Sequence, residues 1–344
     1  MADVTDSAFR HIIAKYSENK ELNTSSSLST DISLLVNSSA RLSQPAQGTL
    51  GRVFNSYVTW TEFVSADGLV LAKEEGKKKL LKDLEYSEIE RPIVAQLFGS
   101  NPENMKKAAR LVVELGFDGL DINMGCPDKS VEKQGAGAAM IKNPKLAREI
   151  IRAAKAGIKE ASEQSGKQEI PLSVKTRLGY NKDELETWLP ELLQEDLAVI
   201  TIHARTRKEM SKVPARWERI KKAVEIRDEV QKGEVIKTLI FGNGDVLDVE
   251  DAYKKAEESG ADGVMLGRAI FGNPFLFANK VPTKKEKLHA LKEHIMLFEK
   301  NLGQTKSFAV MKKHFKSYLS GLEVEKNLKE DLMNSINTEE ALNI

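Results

Sequence analysis

The single cysteine of the chain, Cys126, lies in a segment whose residue types favour chemistry over simple packing. One cysteine in 344 residues excludes a disulfide within the chain and a zinc site built from several thiolates. A lone cysteine is most often a small buried apolar residue. Cys126, however, follows an apolar run in a loop with Gly125 and Pro127, and a glycine-rich segment, Lys-Gln-Gly-Ala-Gly at 133–137, comes soon after. Because glycines let such loops turn tightly and approach a ligand closely, we expect a functional thiol.

Two further polar residues, Lys175 and His203, lie at the ends of apolar runs further along the chain. A lysine in an otherwise apolar strand needs an anionic or accepting partner, because burying an unpaired ammonium is costly. The pyrimidine end of a flavin, which becomes anionic on reduction, is one such partner, and a salt bridge to a neighbouring strand is the alternative. His203 occupies the equivalent place on the next strand. The other histidines lie on predicted helices and are interpreted as surface residues: His11, His289, His294 and His314.

Glycine-rich turns follow the last two apolar runs of this pattern, at Gly242-Asn243-Gly244-Asp245 and at Gly267-Arg268. In barrels of parallel strands, the turns after the last two strands commonly bind phosphate through backbone N–H groups and the start of a short helix. The guanidinium of Arg268 can add a two-pronged contact to such an anion. The two turns together predict a phosphate-binding site.

The elements that must position these residues alternate between strand and helix. Seven short apolar runs, rich in Val, Ile and Leu, are typical of strands buried on both faces of a parallel sheet; they cover 58–64, 92–98, 119–123, 171–176, 198–203, 238–241 and 262–266. Amphipathic segments between them predict helices over 101–115, 143–162, 183–194, 216–230 and 249–259. Seven strands are one short of a closed barrel, and a predicted helix over 5–16 comes first. We therefore predict an α/β fold, a (β/α)8 TIM barrel whose first strand is truncated.

Two regions depart from this alternation. Residues 17–56 are rich in Ser, Asn and Thr and are much longer than an ordinary connection, which predicts a disordered insertion. After residue 281 the alternation stops, and amphipathic segments at 288–302 and 308–319 predict helices. The expected organisation is a catalytic barrel domain over 1–281 and a small helical domain over 282–344.

Composition adds little globally, because 52 basic residues oppose 51 acidic ones for a net charge of +1. No apolar run reaches the roughly 18–20 residues that span a bilayer, and no signal-peptide pattern is present, so we expect a cytoplasmic protein. Between 280 and 316, however, ten lysines face three glutamates. From charge alone this stretch is equally consistent with a surface for a phosphate backbone and with a solvated helix face.

Taken together, the motifs resemble those of the tRNA-dihydrouridine synthase family. The resemblance covers 1–16 and then 58 to about 322, and its marks lie at 1–6, 61–66, 96–99, 123–127, 133–137, 174–177, 203–206, 243–245 and 267–268. The Asn-Met-Gly-Cys-Pro loop with the Lys-Gln-Gly-Ala-Gly segment is its most specific part, since other FMN barrels share only the phosphate-binding end. Family members begin with an apolar strand that ends in Pro-Met-Ala, whereas this sequence starts at that Met; the 17–56 segment is also foreign to the pattern.

The resemblance implies an FMN-dependent oxidoreductase that uses NADPH to reduce specific uridines in tRNA to dihydrouridine. Hydride would pass to C6 of a flipped-out uracil while Cys126 donates a proton to C5. Substrate contacts are implied for Asn123 and Arg177, and the basic C-terminal helices would bind the tRNA. We expect a monomer that binds neither metal nor membrane. The residues implied to hold FMN are Met1, Ala2, Gln96, Lys175, His203, Asn243, Gly244, Asp245, Gly267 and Arg268.

Two alternatives stay open at this point. The chain could be an FMN barrel enzyme of a small molecule, similar to ene-reductases or dihydroorotate dehydrogenases, although the basic C-terminal helices argue against it. It could also be a non-catalytic RNA-binding remnant, because a missing first strand would weaken folding or flavin binding.

Overall fold

The computed structural model describes residues 5–17, 57–278 and 280–344. Within those ranges the chain forms the seven predicted strands, whose ends fall within a residue or two of the predicted runs. They are β1 (Thr59–Ser65), β2 (Ile93–Phe98), β3 (Gly119–Asn123), β4 (Leu172–Arg177), β5 (Val199–His203), β6 (Leu239–Asn243) and β7 (Gly263–Met265). All neighbouring pairs are parallel, and the strands follow one another in sequence order from β1 to β7. This is the order of a (β/α)8 barrel with one strand fewer, so the predicted α/β class is confirmed.

Helices precede, connect and follow these strands. Before β7 they are α1 (Ser7–Ser17), α2 (Ala66–Leu71), α3 (Glu74–Asp83), α4 (Pro102–Glu114), α5 (Lys129–Glu132), α6 (Pro144–Ser165), α7 (Leu185–Leu193), α8 (Trp217–Val230) and α9 (Val249–Ser259). The predicted helix starts are confirmed, because the side chains of Asn101 and Asn143 accept hydrogen bonds from the backbone N–H groups of Asn104 and Leu146. Of the predicted insertion, Ser17 is instead the last residue of α1, and 18–56 lie outside the described residues.

The core between sheet and helices gives the strand ends a rigid base. Ile122, Val174 and Ile202 are fully or almost fully buried on three consecutive strands. The indole of Trp188 on α7 is buried as well, and its N–H donates to the hydroxyl of Thr176, with 3.0 Å between the two atoms. Such close packing fixes where each strand ends, and the polar residues predicted for the site lie at or near those ends.

Four further helices follow the sheet: α10 (Lys284–Leu302), α11 (Met311–Tyr318), α12 (Lys326–Asn334) and α13 (Thr338–Asn343). They enclose a separate cluster of buried apolar residues that includes Leu291, Phe298 and Phe315 and reaches Ala8 of α1. The helices predicted over 288–302 and 308–319 are thus present, and α10 starts earlier because Thr283 and Glu286 form a capping box. Nothing in the described ranges is a helix long and apolar enough to cross a membrane.

One buried lysine attaches these helices to the sheet. Lys306, in the connection after α10, forms ion pairs with Glu62 of β1 and with Asp83 of α3, the latter at 2.9 Å. Burial by itself opposes the charge of Lys306, but the two carboxylates raise its pKa above the ordinary value. Because a buried cation left without its partner is strongly unfavourable, this contact holds the C-terminal helices against β1.

Two histidines that were interpreted as surface residues, His294 and His314, are in fact buried. They are 0% and 1% exposed, and their ring centroids lie 4.5 Å apart. The reason is that both occupy the inner faces of amphipathic helices, α10 and α11, where the ring of His314 also stacks on Phe9 of α1 at 5.2 Å. Burial lowers the pKa of both rings, to about 4 for His314, so they are neutral at pH 7.

A buried neutral histidine predicts a specific acid sensitivity. Below the ordinary pKa of 6.5, His314 is protonated in the unfolded chain, but in the folded chain it stays neutral until about pH 4. The free energy of unfolding therefore falls as the pH is lowered across that window. The expected loss at pH 5 is on the order of 2 kcal/mol for this residue. Asp6 and Asp121, whose pKa values burial raises to about 6, act in the opposite direction. The measurement is therefore urea unfolding of wild type against His314→Phe at pH 7.5 and pH 5, where the variant should lose less stability. Equal losses in both proteins would contradict the assignment.

Candidate active site at the strand ends

Five of the predicted site residues lie on five consecutive strands near their carboxyl ends: Gln96 (β2), Asn123 (β3), Lys175 (β4), His203 (β5) and Asn243 (β6). The register places Asn123 beside Lys175 across one pair of strands, and His203 beside Asn243 across another. The structure therefore brings together the residues that the sequence places separately at the strand ends. Met1 and Ala2 lie outside the described residues.

The loop that carries Cys126 is shaped by Asn123. The side-chain oxygen of Asn123 accepts hydrogen bonds from the backbone N–H groups of Gly125, at 3.1 Å, and Cys126, at 2.9 Å. Its side-chain nitrogen donates to the side-chain oxygen of Gln96 at 2.9 Å. Asn123 was expected to contact the substrate, yet most of its hydrogen-bonding capacity goes to the chain itself, which leaves one N–H for a ligand.

The second glycine-rich segment packs directly on the cysteine loop. Gly137 has φ 60°, and a Cβ added there would lie 2.8 Å from the carbonyl oxygen of Cys126. The same oxygen accepts a hydrogen bond from the backbone N–H of Ala138 at 2.9 Å. Gly137 is thus required both for its left-handed backbone and for its lack of a side chain. This contact explains the pairing of the two motifs in the sequence.

The surroundings of Cys126 favour its protonated form. The side chain is half-buried and packs against the apolar cluster of Phe98, Val131 and Ala136. Burial raises the pKa of the thiol above the ordinary value, and the charge of Asp128 acts in the same direction, while a hydrogen bond from the Asp128 backbone and the nearby guanidinium of Arg177 oppose it. The group is therefore a thiol at neutral pH, suited to giving a proton rather than to attacking as a thiolate.

Arg177 joins the cysteine loop to the loop after β5. Its Nε donates to the carbonyl oxygen of Gly125 at 2.7 Å, and its Nη1 donates to the carbonyl oxygen of Thr206 at 3.2 Å. Burial lowers the pKa of Arg177 to about 10, so it remains a cation at neutral pH. Like Asn123, this predicted substrate contact is largely engaged within the chain, where it holds the loop of Cys126 in place.

These loops lie on a buried hydrogen-bond network formed by side chains of β2, β3 and β4. Asp121 of β3 accepts hydrogen bonds from the side chains of Gln96, at 2.7 Å, and Ser173, at 2.6 Å. Burial raises the pKa of Asp121 to about 6, and hydrogen bonds from Ser173 and Gln96 and the charge of Lys175 oppose that rise. The sequence alone did not identify Asp121 as a member of the site. Its position on β3 and its acidic type within a buried strand were the available signal.

Lys175 is a largely buried cation, and within the described part of the chain its Nζ donates one hydrogen bond, to the side-chain oxygen of Asn243 at 3.3 Å. Burial, and then the charge of Arg177, lower the pKa of Lys175 to about 8. A buried ammonium that is this weakly compensated within the chain fits the binding of an anionic or electron-rich ring at the strand ends. Asn243 is itself oriented by a hydrogen bond from its side chain to the carbonyl oxygen of Met265 on β7, at 2.7 Å.

His203 and the turn after β6 are connected through Arg205, which sequence reasoning missed as a site residue. The guanidinium of Arg205 donates to Nε2 of His203 at 3.1 Å and also binds the carboxylate of Asp245. Burial and the surrounding cations lower the pKa of His203 to about 2, so the ring is neutral. The Asp245 carboxylate is occupied by Arg205, by the backbone N–H of Ala215 at 2.9 Å and by Arg268 at 3.2 Å. Its side chain therefore holds neighbouring groups rather than a ligand.

The two glycine turns form an open cradle beside this cluster. Gly244 has φ 123°, and a Cβ there would lie 3.0 Å from the ring of His203. At Gly267, by contrast, an added Cβ would meet nothing within 4 Å, and the side chain of Arg268 is 66% exposed. Open space flanked by an exposed guanidinium suits a phosphate group. Together with the buried ammonium of Lys175, the residues present fit a flavin mononucleotide.

A large cavity of about 880 Å³ lies elsewhere, at the amino ends of the strands, and is lined among others by Pro171, Leu172 and Ala198. It is at the opposite end of β4 from Lys175 and so belongs to a different face of the fold from the cysteine loop. In parallel barrels the chemistry lies at the carboxyl ends. Among the described residues there is no group of three or more His, Cys, Asp or Glu that could hold a metal ion.

Comparison with known proteins adds an independent finding. The family model for dihydrouridine synthase matches residues 1–344. A probable tRNA-dihydrouridine synthase 2 of Bacillus subtilis (strain 168) is 40% identical over 287 residues, covering 82% of this chain and 83% of that protein. A probable tRNA-dihydrouridine synthase of Staphylococcus aureus (strain COL) is 40% identical over 289 residues, covering 83% of each. Morphinone reductase aligns with 80% of this chain and 81% of its own at a TM-score of 0.46 and 12% identity, too distant to assign function.

Proposed function

The chain belongs to the dihydrouridine synthase family, and we propose that it reduces the C5–C6 double bond of specific uridines in tRNA with FMN and NADPH. It is a flavin-dependent oxidoreductase in this assignment. The observation that carries the proposal is the half-buried thiol of Cys126, which burial keeps protonated on a loop fixed by Asn123 and Arg177. A positioned neutral acid is what the addition of hydrogen across an electron-poor double bond requires.

We assign the flavin to the cluster of Lys175, His203 and Asn243 and its phosphate to the cradle at Gly244, Gly267 and Arg268. The ammonium of Lys175 favours negative charge at the ring, and Arg268 favours the phosphate. In this assignment Gln96 positions Asn123 and Asp121, while Asp245 positions Arg205 and Arg268. Met1 and Ala2 remain proposed contacts by family resemblance alone.

FMN held in this cluster and reduced by NADPH would supply a hydride for C6 of the uracil. The protein supplies the rest. Cys126 gives its proton to C5, so that the product gains one hydride and one proton, and the thiolate takes a proton back from solvent. Because the half-buried sulfur lies against the apolar cluster of Phe98, Val131 and Ala136, burial favours the protonated thiol until the base arrives. The base must leave its stack to reach this loop, because a stacked uracil hides both faces of the double bond.

The direct test uses purified protein supplemented with FMN under anaerobic conditions. NADPH should bleach the flavin absorbance, and unmodified tRNA transcript should restore it while dihydrouridine forms. If a small enone or orotate restores the colour and tRNA does not, the chain is instead a reductase of small molecules. If the protein does not bind added FMN, the chain is instead a non-catalytic RNA-binding remnant.

The tRNA body, we propose, contacts a basic stripe on α10. Lys285, Lys292 and Lys300 are exposed and, at spacings of seven and eight residues, share one face of that helix with His289. Three other lysines of the 280–316 stretch are used within the chain: Lys280 pairs with Glu286, Lys284 donates to the carbonyl oxygen of Glu323, and Lys306 pairs with Glu62 and Asp83. The basic surface is therefore narrower than the sequence alone implies.

The stripe continues into a cleft of about 640 Å³ between α10 and α3. Lys300 lines it from one side, and Lys78, Lys79 and Lys82 line it from the other. Glu75 and Glu85 also line this wall, and Glu85 pairs with Lys82 at 2.6 Å, whereas Lys78 and Lys79 are exposed. A groove with cations on both walls is suited to a phosphate backbone. We propose that the tRNA-binding surface includes α3 as well as the C-terminal helices.

The double substitution Lys79→Glu with Lys300→Glu should weaken tRNA binding about tenfold or more, because it places two repulsive charges at the backbone. The slope of log Kd against log salt concentration should also fall by about two, one for each lost phosphate contact. Electrophoretic or fluorescence titrations at several salt concentrations measure both quantities. The matched control reverses Lys159 and Lys254, exposed lysines on α6 and α9. Equal effects in the two double variants would remove α3 from the proposed surface.

We also propose that the enzyme acts as a monomer in the cytoplasm, where its tRNA substrate is found. Sedimentation of the protein with and without tRNA tests this assignment, and a stable dimer would contradict it.

A further inference from the structure

Arg205 connects three segments of the chain beside the proposed flavin site. It is 3% exposed, and its Nε donates to the carbonyl oxygen of Val213 at 2.5 Å. One terminal nitrogen, Nη1, donates to Nε2 of His203 at 3.1 Å, and the other, Nη2, binds the carboxylate of Asp245. The three nitrogens thus point at the end of β5, at the 213–215 segment and at the turn after β6.

The contact with His203 decides where the imidazole carries its proton. A guanidinium has only N–H donors and does not lose its proton in proteins, so the nitrogen that faces it must accept. Nε2 of His203 is therefore unprotonated, and the ring carries its hydrogen on Nδ1. The charge of Arg205, after burial and the charges of Lys175 and Arg177, also disfavours a second proton on the ring.

The turn after β6 is held by the same residue. Asp245 has φ 50°, in the left-handed region, and Gly244 before it approaches the ring of His203 closely. Two cations share the carboxylate of Asp245, the buried Arg205 and the exposed Arg268. Because Arg205 cannot move without breaking three contacts, it fixes the distance between the His203 ring and the phosphate cradle.

We propose that Arg205 is a positioning residue that sets His203 as the neutral Nδ1–H tautomer and couples that ring to the Gly244–Asp245 turn. This inference rests on the proposed function, since it is the flavin that would meet the Nδ1–H donor. Beyond that function, it states which ring nitrogen of His203 carries the proton and identifies Arg205 as the residue that determines this.

The test reads the tautomer without flavin. Protein labelled with 15N-histidine gives separate signals for protonated and unprotonated ring nitrogens, and His203→Gln identifies which signals belong to His203. In wild type, Nδ1 of His203 should carry the proton at neutral pH. In Arg205→Met, which keeps an aliphatic side chain but removes the donor, the Nδ1–H form should no longer predominate. An unchanged tautomer in the variant would overturn the proposal. If the variant does not fold, the wild-type spectrum still decides, because a proton on Nε2 contradicts the contact.

Arg268→Met is the matched control, because it removes the other cation on Asp245 without touching His203. It should leave the His203 tautomer unchanged while weakening FMN binding through the phosphate. Arg205→Met should change the tautomer and weaken FMN about tenfold, as expected for one net hydrogen bond. Since the tautomer is measured in flavin-free protein, failure of FMN to bind either protein would count against the proposed function and leave this inference standing. If FMN binds but the His203 tautomer is the same in wild type and in Arg205→Met, the role of Arg205 would be contradicted and the proposed function would stand.

Discussion

Replacing Cys126 with alanine should lower the rate of dihydrouridine formation about 100-fold to 10,000-fold, the range by which a positioned general acid contributes. The affinity for FMN should be unchanged, because the residues assigned to the flavin lie on β4 to β6 and in the turns after β6 and β7, outside the cysteine loop. Reduction of the flavin by NADPH should also be unaffected. The loss would appear only in the step that transfers hydrogen to the base, measured as reoxidation of the reduced enzyme by tRNA.

The chain offers a clean control for this prediction, because Cys126 is its only cysteine. Alkylation of wild type by iodoacetamide should abolish reoxidation by tRNA, whereas Cys126→Ala is inert to the reagent. The acid must be a thiol, and burial raises its pKa, so activity should persist above the pH at which an ordinary thiol ionises and fall only as Cys126 itself loses its proton. Full activity in Cys126→Ala would show that another group gives the proton.

Replacing Lys175 with methionine should weaken FMN binding about 10-fold to 100-fold, because a charge-assisted hydrogen bond contributes about 1.5–3 kcal/mol. Methionine keeps the apolar stem in the core of the sheet, so the fold should be retained. Loss of the cation should also raise the pKa of Asp121 further, since the Lys175 charge now opposes that rise. Fluorescence quenching of free FMN on titration with protein gives the dissociation constant.

The matched control is Lys155→Met. Lys155 lines the cavity at the amino ends of the strands, away from the cysteine loop, and lies 3.9 Å from the carboxylate of Asp196. Its removal should leave the FMN affinity at the wild-type value. A Lys175→Met protein that binds FMN as tightly as the control would place the flavin elsewhere.

The sequence was most informative where one physical cause dominates. Strands buried on both faces of a parallel sheet are rich in Val, Ile and Leu, and this requirement identified β2 (Ile93–Phe98) and β5 (Val199–His203) from the sequence. The carboxyl ends of parallel strands lie at the same edge of a sheet, so the sequence alone predicts that Lys175 and His203 lie close together. Asn101 and Asn143 marked helix starts because only a few residue types can cap a helix.

Other features depend on contacts between distant segments and could not be predicted in this way. His294 and His314 are buried because α10 and α11 pack against α1, which no local pattern indicates. In the sequence, Arg205 is one polar residue after a strand. Its role depends on the fold, which places Val213 and Asp245 against its guanidinium. Asn123 and Arg177 were expected to contact substrate, but the folded chain uses most of their hydrogen bonds to build the loop of Cys126.

In the proposed function, this chain makes dihydrouridine in tRNA with Cys126 as the acid. Mass spectrometry of tRNA from cells that lack the gene, and from the same cells expressing wild type or Cys126→Ala, tests this directly. Wild type should restore a uridine heavier by two hydrogens at defined positions, and the variant should not. Restoration by both proteins would contradict the role of Cys126, and restoration by neither would contradict the proposed function.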